Sequence, residues 1–458
     1  MIITQDFEIQ GSQQEVWDLF MNAEQVAACM PGVEEVEKIG DKTYQAKMCV
    51  SIGPIKASFT GELKYADTQP IERIGVDSAW KEEVTSSKVD ARIDIQLQDI
   101  GGGQVKIQVT VDAAILGTLG KYGQGVAEKK ASEITKVFAA YVSDLLEKGE
   151  LIAGEAGKAA AVSSRFAYHR PTTVEEAVQL LLEYGDEVKV MAGGQSLILL
   201  MREGLVKPGA IINLIDIPGL DQIEKTPSNV GIEVGALTTH RQLETSALVQ
   251  KEIPLISATY QRLGNVQIRN MGTLGGNLCH NAPGSDPPPL LIALDATVDL
   301  TGAKGVRSLG VEEFGTYFYE TALKPSEILT KVRIPLLPPR CGIAYQKYAA
   351  RPMDMTVVGV AAKLVLAEDG KTIQDVRIAL GGVAPTTIRA RGAEDMLRGQ
   401  TYSENLAAKS AVAAVSEIDP ISDIHGSAEY RRELTPIGIR RMLALAWQQA
   451  QTGQRQGI

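Results

Sequence analysis

The chain has 458 residues, of which 44% are hydrophobic and 22% are charged, and this composition is typical of a globular protein with two or three domains. Its formal net charge of −10 disfavours nucleic acid or an anionic membrane as the main partner. No apolar run approaches the roughly 18 residues of a membrane-spanning helix, and no signal-peptide pattern is present, so we expect a reduced, cytoplasmic protein.

The cysteines and histidines show no spacing typical of a metal site. No cysteine lies in a CxxC pair, which disfavours a zinc knuckle or an iron–sulfur cluster within this chain. The residues concerned are Cys29, Cys49, Cys279 and Cys341, together with His169, His240, His280 and His425. We therefore expect no metal centre here.

Residues 1–148 have the pattern of an independent antiparallel domain. Apolar and polar residues alternate strictly over 48–52, 89–97 and 105–111, which indicates strands with one buried face. Ser12 is placed to cap a short helix, and an apolar stripe over 134–145 predicts a long closing helix. A sheet and a helix of this kind enclose either a ligand cavity or a core filled by side chains, and the pattern leaves both open.

The segments after residue 148 differ from the first domain in composition and sequence pattern. Residues 149–164 are small and polar and predict a flexible linker. Residues 165–338 alternate short strands with helices, which indicates an α+β or α/β domain. Thr172 and Glu175 predict a capping box at the first helix of this domain.

Two glycine-rich turns give the strongest functional signal. The first, Val190-Met191-Ala192-Gly193-Gly194-Gln195-Ser196-Leu197, lies between apolar runs and predicts a strand–turn–helix junction. The second stretch, 268–286, holds three glycines within five positions, which disfavours a helix interior or a regular strand. Glycine lets the backbone adopt a positive φ or approach a ligand closely, and the N–H groups of such a turn form a nest for an anion. Two such turns predict a ligand with two phosphates that is held from both sides.

Polar residues around the turns suit the rest of a dinucleotide. The N–H groups of residues 193–196, near a helix start, would hold one phosphate. Thr273, Gly275 and Gly276 would form the opposite wall, with the Thr273 hydroxyl as a further donor. The other candidates are the amide of Asn277, the imidazole of His280 and the carboxylate of Asp286, which suits the neutral hydroxyls of a ribose or ribityl chain.

The first domain resembles a known family. The motif "ACMPG" after the first helix, the segment "IGPIKASFTG" and the closing helix are similar to the G-subunit family of carbon monoxide dehydrogenase, whose members are helix-grip domains of the START-like (SRPBCC) superfamily. The resemblance covers nearly all of residues 1–148. It implies an apolar pocket and an accessory role in maturation, in membrane recruitment or in handling a quinone-like molecule.

The two glycine turns carry a second resemblance. "AGGQSL" and "IRNMGTLGGN…SD" are similar to the flavin-binding medium subunits of molybdenum hydroxylases, from about Phe166 to Ala450. The resemblance implies a PCMH, vanillyl-alcohol-oxidase-type FAD domain over 165–338, a flavoprotein C-terminal domain over 339–450 and a tail over 451–458. The residues that it assigns to FAD are Val190, Ala192, Gly193, Gly194, Gln195, Ser196, Leu197, Leu263, Gly264, Thr273, Gly275, Gly276, Asn277, His280, Asp286, Leu329, Lys347 and Asp354.

These residues would have different roles along the cofactor. Residues 192–197 and 273–277 would clasp the pyrophosphate, and Leu263 with Gly264 would lie along the FAD. Lys347 would stabilise negative charge on the reduced flavin, while Asp354 would face the open side of the ring and Leu329 would pack beside it. His280 departs from the family, in which many members have Ser, Thr or Ala. Two further family-like stretches, 379–390 and 425–434, fit scaffold or subunit contacts.

The resemblance implies an FAD-dependent oxidoreductase subunit. Substrate would be hydroxylated at a molybdopterin cofactor in a large partner subunit, and electrons would pass through [2Fe-2S] clusters of a small partner subunit to the FAD of this chain. The final acceptor would be NAD⁺, a quinone or another oxidant such as oxygen. The implied assembly is a dimer of heterotrimers, with a contact of residues 1–148 to the membrane or to a quinone.

Two other hypotheses belong to different classes. The chain could be a binding and targeting protein, in which the first domain carries an apolar ligand or docks a complex on a membrane. It could also be a stand-alone flavin oxidase, against which the lack of a convincing base or of a His for covalent flavin attachment speaks. The sequence names neither the hydroxylated substrate nor the electron acceptor.

Overall fold

The computed structural model describes residues 2–52, 55–82, 87–116, 124–148 and 166–453. The chain divides into two compact units, one formed by residues 1–161 with 200–206 and the other by residues 162–199 with 207–458. The linker predicted at 149–164 lies outside the described residues, as does most of the predicted tail. None of the helices that the structure describes is long and apolar enough to cross a membrane.

The first unit is one antiparallel sheet with helices on its inner face. Its elements are β1 (Ile2–Gln10), α1 (Gln13–Phe20), α2 (Ala23–Cys29), β2 (Val33–Gly40), β3 (Thr43–Ile52), β4 (Ile55–Gln69), β5 (Arg73–Glu82), β6 (Lys88–Gly101), β7 (Gln104–Leu116) and α3 (Gln124–Lys148). The seven strands follow the order β1-β7-β6-β5-β4-β3-β2, and every neighbouring pair is antiparallel. The predicted helix-grip architecture is confirmed.

Local sequence rules place the inner helices of this unit. Ser12 caps α1 in a capping box: its hydroxyl accepts from the Glu15 N–H, and the Glu15 carboxylate accepts from the Ser12 N–H at 2.8 Å. On the buried side, Phe20 of α1 meets Phe138 of α3 edge to face, with ring centroids 5.9 Å apart. The two helices and the alternating strands thus share one core.

Residues 165–338, which belong to the second unit except for 200–206, form the FAD-domain part and contain short strands and many short helices. Its elements are β8 (Ala167–His169), α4 (Val174–Tyr184), β9 (Val188–Met191), α5 (Leu197–Arg202), β10 (Ala210–Asn213), β11 (Ile223–Lys225), β12 (Gly231–Gly235), α6 (His240–Thr245), α7 (Ala247–Glu252), α8 (Pro254–Gln261), α9 (Val266–Met271), α10 (Leu274–His280), α11 (Pro287–Ala293), β13 (Thr297–Gly302), β14 (Gly305–Gly310), α12 (Val311–Phe314), β15 (Gly315–Tyr317), β16 (Glu320–Thr321) and β17 (Glu327–Pro335). A parallel sheet has the order β8-β10-β9, and an antiparallel sheet has the order β11-β12-β17-β13-β14.

The remaining elements form the C-terminal part. They are β18 (Cys341–Tyr348), β19 (Val358–Leu366), β20 (Ile373–Gly381), β21 (Ile388–Arg389), α13 (Arg391–Leu397), α14 (Glu404–Ala413) and α15 (Ala428–Thr452). One face of the β18-β19-β20-β21 sheet packs on these three helices. The other face contributes Ile343, Tyr345, Ala361 and Ala379 to the core of the FAD-domain part. The two parts of the second unit therefore share a hydrophobic core.

One local prediction is wrong, and two segments rich in glycine or proline begin helices. The N-cap of α4 is Thr173, whose hydroxyl accepts from the Glu176 N–H at 3.1 Å, so the capping box predicted for Thr172 and Glu175 does not form. The Glu176 carboxylate accepts instead from the Thr172 N–H at 2.8 Å. Gly275 and Gly276 lie in the first turn of α10, which the expectation against a helix interior leaves open. The three prolines at 287–289 begin α11, because the N–H groups of the first turn of a helix have no acceptor inside the helix, so proline loses no bond there.

We expect the approach of α15 to the C-terminal sheet to depend on Gly342. A Cβ atom at this position would lie 1.9 Å from the Ala446 carbonyl oxygen, so alanine would push the helix off the sheet. Gly342→Ala should lower the free energy of unfolding of the second unit by about 1–3 kcal/mol. Gly310→Ala is the matched control, since its Cβ would meet only the Glu313 side chain at 3.7 Å.

The free energy of unfolding of each variant is measured in increasing urea, with hydrogen exchange of peptides from β18 and α15 as the signal. The control should lose less than about 1 kcal/mol. Equal losses in the two variants would contradict the assigned packing.

Candidate cofactor site

The two glycine turns lie directly against each other. A Cβ atom on Gly193 would come within 1.8 Å of the Met271 carbonyl oxygen and 3.1 Å of the Gly272 Cα. A Cβ atom on Gly276 would lie 3.6 Å from the Cβ of Ala192. The structure therefore brings together the turns at 192–196 and 271–276, and the absence of a side chain at Gly193 allows their contact.

The first turn presents open donors. It follows β9 and precedes α5, as predicted, and Gly194 adopts a positive φ of 69°. The backbone N–H groups of residues 193–196 have no acceptor among the residues that the structure describes. The Gln195 side chain is exposed, whereas the two glycines are half-buried. Adjacent free N–H groups on such a turn are suited to an anion.

By contrast, backbone N–H groups of the second turn already have acceptors within the protein. The Leu274 N–H donates to the Thr238 carbonyl at 2.9 Å, and the Gly275 N–H donates to the Ala236 carbonyl at 2.8 Å. The Thr273 hydroxyl accepts from the Gly276 N–H at 3.1 Å. This turn can supply the predicted wall, but the Gly275 N–H is not a free donor. Glycine is required at 275 because a Cβ there would lie 2.7 Å from that of Ala236.

A buried arginine fixes the predicted Leu263–Gly264 segment. Nη1 of Arg269 donates to the carbonyl oxygens of Leu263 at 3.2 Å and of Gly264 at 2.8 Å. Its Nε donates to the Glu244 carboxylate at 2.9 Å, and both side chains of this ion pair are about nine-tenths buried. Neither residue was predicted from the sequence, although Arg269 lies within the second glycine stretch.

His240 lies behind the second turn. The backbone N–H of His240 donates to the Gly272 carbonyl at 2.9 Å. A Cβ on Gly272 would lie 2.9 Å from Cδ2 of the His240 imidazole. Burial, together with the nearby Arg269 cation, lowers the pKa of His240 to about 4. The imidazole is therefore neutral at physiological pH and serves as packing for the turn.

Asp286 and Lys347 form a buried ion pair. Lys347 Nζ lies 2.8 Å from Asp286 Oδ2, and both side chains are more than nine-tenths buried. Asp286 Oδ1 accepts from the Tyr345 hydroxyl at 2.9 Å and from the Thr356 hydroxyl. Burial and the adjacent carboxylate raise the pKa of Tyr345 well above its usual value, so this hydroxyl stays a donor. Sugar hydroxyls were predicted to occupy the Asp286 carboxylate, but protein donors occupy most of its acceptor positions.

One hydrogen bond connects the second glycine stretch with this ion pair, and a small cavity connects the pair with the Leu263 segment. Asn277 Oδ1, on α10, accepts from the Ser285 hydroxyl at 2.7 Å, which places the end of the second turn beside Asp286. A cavity of about 10 Å³ adjoins the pair, which is space for about one water molecule. The residues that line it are Leu255, Ala258, Thr259, Arg262, Asp286, Tyr345 and Lys347. The Leu263 segment, α10 and the ion pair are thus neighbours.

His280 ends α10. Its ring packs on Tyr319 with centroids 5.2 Å apart, and burial lowers its pKa. A neutral imidazole carries one N–H, so His280 can offer at most one ring donor to a ligand.

The structure does not bring every predicted residue into this group. Leu329 lies on β17, opposite Leu300, and is 3% exposed within the hydrophobic core. Asp354 lies in the loop between β18 and β19, where its N–H donates to the Arg351 carbonyl at 3.1 Å. Val190 is partly exposed on β9, immediately before the first turn. Contacts of these three residues with a flavin remain predictions.

The chain matches three protein families along its length. Residues 164–337 match the FAD binding domain in molybdopterin dehydrogenase, and residues 343–446 match the carbon monoxide dehydrogenase flavoprotein C-terminal domain. Residues 6–144 match CoxG, the G subunit of carbon monoxide dehydrogenase.

Individual relatives resemble the second unit over their whole length. The carbon monoxide dehydrogenase medium chain of Hydrogenophaga pseudoflava is 34% identical over 286 residues, which are 62% of this chain and 98% of the relative. The nicotine 6-hydroxylase medium subunit of Paenarthrobacter nicotinovorans is 36% identical over 279 residues, or 61% of this chain and 96% of the relative. Among solved structures, quinoline 2-oxidoreductase from Pseudomonas putida 86 is similar with a TM-score of 0.58 and 32% identity, over 64% of this chain and 100% of the other.

The sequence identities to these relatives, and the share of each relative that the chain covers, support the same family as the glycine turns and the architecture of the second unit. The chain belongs to the FAD-binding medium subunits of molybdenum hydroxylases, an oxidoreductase family, and carries a CoxG domain at its N-terminal end.

Proposed function

We propose that this chain is the electron-transfer subunit of a molybdenum hydroxylase complex. It would receive electrons from the [2Fe-2S] clusters of a small partner subunit, after oxidation of a substrate at the molybdopterin cofactor of a large partner subunit. It would pass them to NAD⁺, a quinone or another acceptor. Bound FAD supplies the ability to accept and release electrons singly or in pairs.

The observation that carries this proposal is the contact between the two glycine turns. On one side, four N–H groups are free to bind an anion; on the other, Thr273 caps α10 and has a hydroxyl hydrogen to offer. This arrangement fits the pyrophosphate of FAD, with residues 193–196 as the main donors. Thr273, Gly275 and Gly276 would then serve as a close wall, and the segment from Leu263 to Gly264 would lie further along the cofactor.

The buried ion pair is the charged part of the site. Asp286 holds the Lys347 ammonium in one place, and Tyr345 and Thr356 fix Asp286 in turn. We assign Lys347 to the flavin end of the cofactor, where a cation would stabilise negative charge on the reduced ring. One acceptor position on Asp286 Oδ2 remains for a sugar hydroxyl.

The fused first unit would bind an apolar ligand or recruit the complex to a membrane. A row of small side chains, Ser78, Ala91 and Ala113, crosses β5, β6 and β7 in register on the inner face of the sheet. Trp80 lies next to this row and covers Gly61, where a Cβ would come within 2.5 Å of the indole ring. Small residues beside an aromatic ring favour an apolar pocket, and a quinone-like molecule has the matching chemistry.

Reduction through partner subunits tests the electron-transfer role. We expect the flavin of the reconstituted complex to lose its absorbance near about 450 nm when substrate is added anaerobically. Complex without the [2Fe-2S] subunit should leave the flavin oxidised. Flavin reduction by substrate in this chain alone would instead support a stand-alone oxidase, and an assembled complex whose flavin is never reduced would leave only the accessory role.

Gly193→Ala should weaken FAD binding, because its Cβ would collide with the Met271 carbonyl and separate the two turns. We expect the dissociation constant of FAD, measured by quenching of flavin fluorescence, to rise about tenfold or more. Gly310→Ala, at the N-cap of α12, where a Cβ would lie 3.7 Å from the Glu313 side chain, is the control and should leave it unchanged. Wild-type affinity in Gly193→Ala would mean that the two turns do not jointly hold FAD.

Substitutions of the ion pair should shift the flavin midpoint potential in opposite directions. Lys347→Met removes a cation and should lower the potential, whereas Asp286→Asn leaves that cation without its counter-ion and should raise it. We expect each shift to be about 30 mV or more, or about 1.4 kcal/mol for a two-electron couple. Redox titration against reference dyes measures both, with exposed Lys371→Met as the control. Shifts of the same sign would show that the pair acts by packing rather than by charge.

A further inference from the structure

One buried arginine in the C-terminal helix gathers three segments of the chain. Arg431 lies in the first turns of α15, and its side chain is 3% exposed. Its Nη1 donates to the carbonyl oxygens of Val357 and Gly382, the latter at 2.7 Å. Its Nη2 donates to Asp423 Oδ1 at 2.7 Å. A planar guanidinium can make these bonds at once, which an ammonium cannot reproduce.

The first backbone segment that Arg431 holds also holds Asp286. Thr356 precedes Val357, and its hydroxyl donates to Asp286 Oδ1. The Thr356 N–H donates to the Gly284 carbonyl at 3.2 Å. One segment thus links Arg431 to the carboxylate of the ion pair through two adjacent residues, Val357 and Thr356.

The second segment reaches the same loop from the other side. The Gly382 N–H donates to the Pro283 carbonyl at 2.8 Å. Gly382 has a positive φ of 76°, and a Cβ there would lie 2.5 Å from the Val357 carbonyl oxygen and 3.1 Å from Arg431 Nη1. Arg431 therefore binds both segments, and both segments form hydrogen bonds with the 283–286 loop.

We propose that Arg431 is a positioning residue for the Asp286–Lys347 pair. It acts through Thr356 and Gly382 and sets the place of the Asp286 carboxylate relative to the cofactor. The stretch 425–434, for which the sequence predicted scaffold or subunit contacts, would thus tune the flavin site. This inference rests on the proposed role of the ion pair in the flavin site.

A double-mutant cycle on the full chain tests this relay. The dissociation constant of FAD is measured for Arg431→Met, Asp286→Asn and the double variant. Arg432→Met is the matched control, because Arg432 is the next residue of α15, is exposed and, within the described part of the chain, donates to the Ile418 carbonyl alone, at 3.3 Å. Thermal unfolding of each variant is recorded in parallel.

We expect Arg431→Met to weaken FAD binding about tenfold in the wild-type background and less than about twofold in the Asp286→Asn background. Arg432→Met should change the dissociation constant by less than about twofold. Should Arg431→Met fail to fold, Asp423→Asn replaces it, since it loosens the guanidinium without removing it. Its effect should be about threefold and should also vanish in the Asp286→Asn background.

An equal loss of affinity in both backgrounds would overturn the proposal, because a merely structural role acts independently of Asp286. An equal loss in Arg432→Met would do the same. Failure of the electron-transfer function would look different: FAD would bind with the expected coupling, but partner subunits would not reduce it.

Discussion

The cofactor site depends on one contact that excludes a side chain. Gly193 packs against the Met271 carbonyl so closely that a Cβ atom would come within 1.8 Å of the oxygen. In the first turn, the N–H groups of residues 193–196 have no acceptor in the described part of the chain. In the second turn, the N–H groups of Gly272, Leu274, Gly275 and Gly276 are already bonded within the protein. The free donors can follow the shape of an anion, and the bonded turn keeps its own shape without a ligand. One rigid wall and one set of open donors make a preorganised site, in which little has to be ordered on binding.

The charged part of the site is likewise fixed by contacts within the protein. Asp286 is surrounded by three protein donors, and each comes from β18 or from the loop just before β19. A buried charge is costly unless it is paired and hydrogen-bonded, so the C-terminal part of the chain has to be in place to supply the partners of this carboxylate. The shared hydrophobic core of the two parts of the second unit serves the same end. The C-terminal part is thus a component of the cofactor site as well as a neighbour of it.

Sequence patterns predicted helices and strands better than they predicted which atoms form hydrogen bonds and ion pairs. Strict alternation gave the strands of the first unit, and the Gly-Gly turn after an apolar run gave the junction between β9 and α5. The capping residue of α4 was misplaced by one because two threonines precede two glutamates, and the local pattern fits both registers. The partners of Asp286 could not be predicted, since they lie 59, 61 and 70 residues further along the chain. The sequence also could not show that the Gly275 N–H is used by Ala236, because that bond depends on how β12 approaches α10.

A crystal structure of the full chain with bound FAD tests the central claim most directly. We predict that pyrophosphate oxygens lie within hydrogen-bond distance of the N–H groups of residues 193–196, while the Gly275 N–H stays bonded to the Ala236 carbonyl and Lys347 lies beside the flavin ring. A pyrophosphate bound away from the first turn, or one that takes the Gly275 N–H from Ala236, would contradict it.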